Sequence, residues 1–232
     1  MKIAFCLSGQ PRFIEQGYTF FKKNLVGFKD MDIFFHSWEN SYKGVHHNLT
    51  NVDTPLNILN YYDPINYIIE PQKLNLSNLD LSPEVFIHYS MFYSIFMANK
   101  IKKDWEKANN FKYDYVIRSR FDVALLEKLS ISEIVKEKSI YSPDVCLYSG
   151  VISDWFNFSY SEEMDSYTNI FPFMDEFLNE KVLMYSGEQI FTHQLNKINL
   201  DYRKIKCNLS LIRNSKTNTN FWINVDDLKN YL

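Results

Sequence analysis

The sequence predicts an α/β fold, with a mostly parallel central sheet flanked by helices in a single domain. Short apolar runs typical of strands alternate with longer segments of helical spacing, as in layered α/β proteins. The first apolar run, residues 2–7, is almost uninterrupted, which indicates a strand buried on both faces of a parallel sheet. The 232 residues suit one large domain, and neither a repeat nor a linker of unusual composition divides them.

The elements of the first part of the chain follow from local signals. The first strand ends in the turn-forming cluster Ser8-Gly9-Gln10-Pro11-Arg12. The run MDIFFHSW has a β-branched and aromatic core, so it predicts a second strand. In chain order, we expect a strand at 2–7, a helix at 13–25, a strand at 31–38, a long loop with small pieces of structure at 39–64 and a strand at 67–70.

The clearest helix begins at Pro83. Ser82 is a good N-cap, Pro83 occupies the first helical position and Glu84 complements the helix dipole. The remaining predicted elements are this helix at 83–109, strands at 113–126 and 139–147, and helices at 170–178 and 188–195. No pattern assigns the segment 197–232, although Phe221-Trp222 within it suits a docking point.

Composition excludes several classes of protein. A net charge of -3 argues against a dedicated nucleic-acid binder, which is usually strongly basic. The cysteines Cys6, Cys146 and Cys207 are odd in number and lack metal-ligand spacing, so they exclude a disulfide framework and fit a reducing compartment. No apolar stretch approaches the roughly 18 to 20 residues that span a bilayer. We therefore expect a cytoplasmic protein without a transmembrane segment, in which any membrane attachment is peripheral and depends on an acceptor or partner.

The segment YDYVIRSRFDV, residues 113–123, is the most informative for chemistry. Alternation along a strand places Arg118, Arg120 and Asp122 on one face, at the carboxyl end where open α/β sheets bind ligands. One interpretation is a structural ion pair between an arginine and Asp122. The other is that arginine binds phosphate oxygens while Asp122 holds a divalent metal or a sugar hydroxyl.

Several segments occur in the order found in GT-A-type glycosyltransferases: SGQPR after the first strand, DIFFHSW at 32–38 and YDYVIRSRFD at 113–122. More narrowly, the sequence resembles bacterial and viral lipopolysaccharide or capsule glycosyltransferases of the WavE-like kind. ISDWF at 152–156 and SGEQIF at 186–191 extend the resemblance to about residue 195. It implies one GT-A-like, Rossmann-like domain over 1–232, in which about 1–126 binds a nucleotide-sugar and about 127–232 forms the acceptor side and a C-terminal elaboration.

The resemblance implies transfer of a sugar from a nucleotide-sugar donor to a hydroxyl of a polysaccharide, lipopolysaccharide-like or lipid-linked acceptor. In that fold an Asp-x-Asp motif after the fourth strand binds Mn²⁺ or Mg²⁺ on the donor diphosphate. Here the matching positions read Arg120-Phe121-Asp122, so a cation replaces the first carboxylate and metal dependence is left open. The candidate metal ligands are Asp122 and His193.

The candidate donor-binding residues lie in the segments that the resemblance covers. Arg12 follows a turn at the end of the first strand, where a long cation can meet a phosphate; a surface arginine is the alternative. The alternative for His36 is a structural role. The alternative for Tyr89 and Ser90 is that they belong to a half-buried, Tyr-rich face of the 83–109 helix. The full set is Ser8, Gly9, Arg12, His36, Tyr89, Ser90, Arg118, Arg120 and Asp122.

Glycosyl transfer also needs a base. Breaking the bond to the anomeric carbon develops negative charge on the diphosphate, and the acceptor hydroxyl must lose a proton. Asp154, flanked by bulky rings that favour a raised carboxyl pKa, and Glu188 are the candidate catalytic carboxylates. The alternative for Asp154 is a solvated loop acid. The alternative for Glu188 is a first-turn acid that complements the helix dipole.

Two other functions remain open on sequence grounds. A non-catalytic nucleotide- or glycan-binding module is supported by the missing first Asp of the Asp-x-Asp pattern. A nucleotidyltransferase is disfavoured, because the chain has neither a Gly-rich phosphate loop nor paired acidic metal ligands. The donor base, the sugar, the acceptor, the stereochemistry and the oligomeric state are not determined by the sequence.

Overall fold

The computed structural model describes residues 1–39, 52–73, 75–77, 79–146, 149–181, 186–215 and 218–232. In these ranges the strands are β1 (Ile3–Gly9), β2 (Asp32–Trp38), β3 (Asn66–Glu70), β4 (Tyr115–Ser119), β5 (Val123–Leu125), β6 (Ile140–Pro143), β7 (Phe156–Tyr160), β8 (Tyr202–Ile205), β9 (Leu209–Arg213) and β10 (Trp222–Asn224). The α-helices are α1 (Ile14–Asn24), α2 (Leu56–Tyr62), α3 (Pro83–Ala108), α4 (Ile131–Ile134), α5 (Ser161–Tyr167), α6 (Met174–Asn179) and α7 (Gly187–Lys197). Short 3₁₀ helices cover Phe28–Asp30, Phe171–Phe173 and Val225–Asn230.

Seven strands form a mixed sheet in the order β3-β2-β1-β4-β7-β6-β8. Strand β7 runs antiparallel to both of its neighbours, and the other adjacent pairs are parallel. The α/β prediction, with a mostly parallel sheet flanked by helices in one domain, is thereby confirmed. The chain moves outward from β1 to β2 and β3 and then returns to the other side of β1 as β4, so the order reverses between β1 and β4. In open α/β sheets such a reversal marks the crevice where ligands bind.

The central strand β1 is buried on both faces, as its uninterrupted apolar run predicts. Its side chains alternate between two core clusters, with Phe5 and Leu7 in one and Ala4 and Cys6 in the other. Helices α1 and α2 contribute to the first cluster, and α3, α5 and α7 contribute to the second. The sheet is therefore the middle layer between two helical layers.

The prediction of one strand over 113–126 is wrong. The chain leaves the main sheet after β4, turns at Arg120–Asp122, and continues as β5 in a second sheet of order β10-β9-β5. Helix α1 comes so close to this turn that a Cβ on Gly17 would lie 1.9 Å from the Phe121 carbonyl oxygen. The apolar alternation continues through the turn without a Gly or Pro, so nothing in the local pattern marks the break.

Other differences concern short elements. Helix α2 lies within the predicted loop at 39–64, of which residues 40–51 are outside the described part of the chain. Strand β7 was not predicted, and the unassigned C-terminal segment contains β8, β9 and β10. Within the described ranges, no helix has the length and apolar character needed to cross a membrane.

Candidate functional site

A pocket of about 570 Å³ opens at the carboxyl edge of the sheet. Its floor lies where β1 and β4 end, at the point of strand reversal. Because β7 is antiparallel, it begins at this same edge: Ser119, the last residue of β4, pairs with Phe156, the first residue of β7. Helix α3, the N-terminus of α7 and the ends of β9 and β10 supply the remaining walls. The volume is within the range typical of small-molecule sites.

Arginine side chains surround the carboxylate of Asp122 at one end of the pocket. Arg120 donates from Nε to Asp122 Oδ1 and from Nη2 to Oδ2, each at 2.8 Å. Arg213, at the end of β9, donates from Nη1 to the same Oδ2 at 2.6 Å. Arg12 also lines the pocket there, and its charge acts on Asp122. Asp122 and Arg213 are buried, and we call Arg12, Arg120, Arg213 and Asp122 the arginine cluster.

Burial and charge set the protonation of this cluster. Burial would raise the pKa of Asp122, but the charges of Arg120 and Arg213 outweigh it and hold that pKa well below its usual value. Burial lowers the pKa of Arg12 to about 10, with Asp122 opposing and the neighbouring arginines assisting. Burial likewise lowers the pKa of Arg213. At neutral pH the carboxylate and all three guanidiniums therefore stay ionised.

Arg118 has a different environment from the other pocket arginines. It is 2% exposed and donates from Nη1 to the backbone carbonyl of Asp154 and to Oδ1 of Asn157. Its guanidinium lies 5.2 Å from the ring centroid of Phe191, which is a cation–π contact. Burial lowers the pKa of Arg118 to about 10, and the charge of Asp154 opposes that shift. Arg118 thus fixes the loop that carries Asp154.

Both candidate catalytic carboxylates lie near the N-terminus of α7. Asp154 is half-buried in the loop before β7, and Glu188 is 2% exposed in the first turn of α7. Both line the pocket. Ser186 caps this helix by accepting from the Gln189 amide at 3.2 Å. A Cβ on Gly187 would come within 2.7 Å of Asp154 Oδ2, so glycine is needed for the helix to approach this carboxylate.

The end of β1 is fixed by a buried hydrogen-bond chain. The amide of Gly9 donates to Ser94 Oγ at 2.8 Å, and Ser94 Oγ lies 2.8 Å from Nδ1 of His36. Nε2 of His36 lies 3.1 Å from Oε1 of Glu70. Ser8 and Gly9 line the pocket, whereas His36 lies behind them, fully buried. His36 therefore supports the pocket wall from outside it.

Some polar residues of helix α3 line the pocket, and others are buried in the protein interior. Ser90 lines the pocket and accepts a hydrogen bond from Gln72 Nε2 at 2.7 Å. Tyr89 is buried and donates to Asp175 Oδ1 at 2.8 Å, outside the pocket lining. Apolar groups cover much of the remaining wall, and the aromatic ones are Trp38, Trp155, Phe221 and Trp222.

The residues present do not fit a divalent metal at Asp122. Both of its carboxylate oxygens already accept hydrogen bonds from guanidinium groups, so a cation there would face positive charge. His193 lies on α7 with Nε2 3.3 Å from Glu180 Oε2 and its ring against Phe177, outside the pocket lining. In the described ranges, no three His, Cys, Asp or Glu side chains are grouped so as to hold a metal ion.

The pocket brings together most of the residues proposed from the sequence, from both predicted halves of the chain. Those in its lining are Ser8, Gly9, Arg12, Ser90, Arg118, Arg120, Asp122, Asp154 and Glu188. His36, Tyr89 and His193 lie elsewhere. Sequence reasoning missed Arg213, although LSLIR repeats the pattern of YVIR, an apolar strand ending in arginine. That repeated pattern is the signal that could have identified it.

Fold and site together define an α/β protein with an arginine-lined pocket at the reversal point of its sheet. The chain belongs to the family described as a domain of unknown function (DUF7796), whose family model matches residues 1–221. Among the described residues that line the pocket, Trp222 alone falls beyond the matched range. No curated protein matches the chain in sequence.

Proposed function

We propose that this protein is a GT-A-like glycosyltransferase that moves a sugar from a nucleotide-sugar donor to a hydroxyl of a glycan or lipid-linked acceptor. The observation that carries the proposal is the composition of a single pocket. It combines the arginine cluster with Asp154 and Glu188 at the reversal point of the sheet. Glycosyl transfer needs both cations for a leaving diphosphate and a carboxylate for the acceptor proton.

In the proposed reaction the bond between the anomeric carbon and the donor phosphate oxygen breaks, and its electron pair leaves with the nucleoside diphosphate. The pocket arginines stabilise the charge that develops on that oxygen. The acceptor hydroxyl forms the new bond to the anomeric carbon, and its proton passes to Asp154 or Glu188. Arg118 orients the Asp154 loop.

The aromatic part of the wall supports a carbohydrate acceptor. Trp155 and Phe221 are arranged edge to face, with their ring centroids 6.3 Å apart, beside Trp222. Flat aromatic faces beside a polar pocket suit the apolar C–H faces of sugar rings, while the carboxylates suit their hydroxyls. We further propose that the protein works in the cytoplasm, because its three cysteines are free.

The first test is thermal unfolding with UDP, GDP, CMP and their sugar conjugates. A nucleotide at about 100 times its dissociation constant stabilises the folded state by about 2.7 kcal/mol. For a chain of this length, that raises Tm by roughly 5–10 °C. The absence of any shift in folded protein would exclude the donor site.

The second test measures transfer or donor hydrolysis with Asp154→Asn and Glu188→Gln. Loss of the base should lower kcat by about 10²- to 10⁴-fold, because proton transfer is removed, while the nucleotide-induced Tm shift remains. Asp144→Asn is the matched control, since Asp144 is exposed, pairs with Lys204 and lies outside the pocket lining. Nucleotide binding without turnover in the unaltered protein would instead indicate a non-catalytic binding module.

A further inference from the structure

The positive charge around Asp122 exceeds what a structural ion pair requires. The bidentate contact with Arg120 already balances the charge of this buried carboxylate and gives each of its oxygens a hydrogen bond. Arg213 nevertheless adds a third hydrogen bond to the same carboxylate, and Arg12 brings a third guanidinium to the same end of the pocket. Locally, three cations face one anion, an excess of two positive charges.

This excess is costly unless a ligand offsets it. Buried charges without partners lose hydration, and like charges in a pocket repel one another. Nε of Arg12 is buried without a hydrogen-bond partner among the described residues, although Nη2 of the same group donates to Gln10. The guanidinium of Arg12 thus keeps unused donor capacity at the pocket.

The other acidic groups of the pocket offset only part of the excess. Asp154 and Glu188 belong to the loop before β7 and to α7, where Arg118 holds the Asp154 loop. The charge of Asp154 acts on Arg118 ahead of the charge of Asp122, and it also acts, after that of Asp122, on Arg120 and Arg213. Glu84, which also lines the pocket, is exposed to solvent. Among the described residues, Asp122 is the acid to which Arg120 and Arg213 are hydrogen-bonded, so a local excess of positive charge remains at the arginine cluster.

We propose that the arginine cluster binds the diphosphate of a nucleoside diphosphate directly, without a divalent cation, and that Asp122 is a positioning residue for Arg120 and Arg213. The inference rests on the proposed function and names how the donor is held. A diphosphate carries at least two negative charges, enough to offset the excess, and its oxygens accept from guanidinium groups in the planar geometry that arginine favours. The bonds to Asp122 fix two guanidiniums before the ligand arrives, which lowers the entropy cost of binding.

The experiment is calorimetric titration of the full chain with inorganic pyrophosphate, UDP, GDP and UMP, each in EDTA and again in Mn²⁺. We expect the diphosphates to bind equally well in both buffers, within about 3-fold, and more tightly than UMP, because one phosphate offers less charge. Arg213→Gln should weaken diphosphate binding about 10- to 100-fold through loss of charge-assisted hydrogen bonds. Tighter binding of UDP or GDP than of pyrophosphate would support the proposal and show that the nucleoside is also recognised. Equal affinity for UDP, GDP and pyrophosphate would contradict recognition of a nucleoside diphosphate and limit the site to free diphosphate.

The matched control is Arg203→Gln, because Arg203 is an exposed arginine on β8 that pairs with Glu137 and lies outside the pocket lining. It should bind diphosphates as the unaltered chain does. If Arg213→Gln does not fold, Arg12→Gln replaces it, since Arg12 is only partly buried and should show the same loss. Diphosphate binding that requires Mn²⁺ would overturn this inference and leave the transferase proposal standing. Failure of every nucleotide to bind in either buffer would overturn both.

Discussion

His36 is a fully buried histidine whose two ring nitrogens both have partners. Burial lowers its pKa to about 4, although the hydrogen bond to Glu70 opposes the shift, so the ring is neutral at pH 7. A neutral ring facing a carboxylate must donate from Nε2 to Glu70, which leaves Nδ1 to accept from the Ser94 hydroxyl. The Ser94 oxygen is then free to accept from the Gly9 amide, so one tautomer satisfies the whole chain of groups behind the pocket.

The lowered pKa of His36 predicts that the protein loses stability in acid. The unfolded chain protonates His36 near the ordinary pKa of 6.5 and the folded chain only near 4, so between these pH values the unfolded state binds more protons. The free energy of unfolding should therefore fall as pH falls through this window, by up to about 1.4 kcal/mol per pH unit. Urea unfolding at pH 7.5, 6 and 5 measures it.

His36→Gln should be less stable at pH 7.5, because buried hydrogen bonds are lost, yet should lack this part of the pH dependence. His193→Gln is the control, since it removes a histidine that is partly exposed and lies outside the chain of groups around His36. Parallel pH profiles for His36→Gln and the unaltered chain would contradict the assignment.

Individual site residues were predictable where local pattern and strand ends coincide. Arg120 and Asp122 follow an apolar strand, and general rules for α/β sheets place such ends at a ligand crevice. Side-chain alternation predicted that Arg118 shares a face with Arg120 and Asp122. That prediction assumed one continuous strand, whereas the structure has a turn between β4 and β5. Arg213 was missed because its pairing with Asp122 spans 91 residues, and no local periodicity encodes that contact.

Among the structural elements, α1 and the turn after β4 depend on each other. Gly17 lets the helix backbone approach the Phe121 carbonyl, and the turn then directs Arg120 and Asp122 into the pocket. Helices and strands with strong local signals, such as α3 with its Ser82 cap, were predictable to within a few residues. The short second sheet was not, because the three residues of β5 are strand only through their pairing with β9.

Gly17→Ala should destabilise the protein and weaken the diphosphate binding that we propose. The new Cβ would meet backbone, which cannot rotate away, so we expect a loss of about 1–3 kcal/mol or more in the free energy of unfolding. Urea unfolding measures the loss of stability. Titration with UDP measures the weaker binding that we expect if Asp122 is displaced. Gln16→Ala, one position earlier on α1, is the control. Unchanged stability of Gly17→Ala would contradict the close approach.

On the scale of the whole molecule, packing rather than covalent cross-links holds the layers together. The three cysteines are free, and two of them, Cys6 and Cys207, are buried. Burial raises the pKa of both thiols to about 12, and that of the half-buried Cys146 to about 11. The thiolate, which is the reactive form, is therefore scarce at neutral pH.

The predicted consequence is that dithiothreitol leaves Tm unchanged, because there is no disulfide to reduce. Iodoacetamide should modify the native chain slowly, and Cys146 before Cys6 or Cys207, because its thiol is less buried and has the lowest pKa of the three. Mass spectrometry of tryptic peptides over time gives the order. A drop in Tm on reduction, or earlier labelling of Cys6, would contradict the packing described.

The pairing of β5 with β9 also determines when the pocket can form during synthesis of the chain. Arg12 and Arg120 leave the ribosome long before Arg213, so the pocket stays incomplete until the C-terminal strands are synthesised and have closed a long loop. Until then β5 has an unpaired edge and Asp122 lacks one of its arginines. A ribosome-bound chain halted before β9 should therefore be a target for chaperones and should lack the diphosphate binding that we propose.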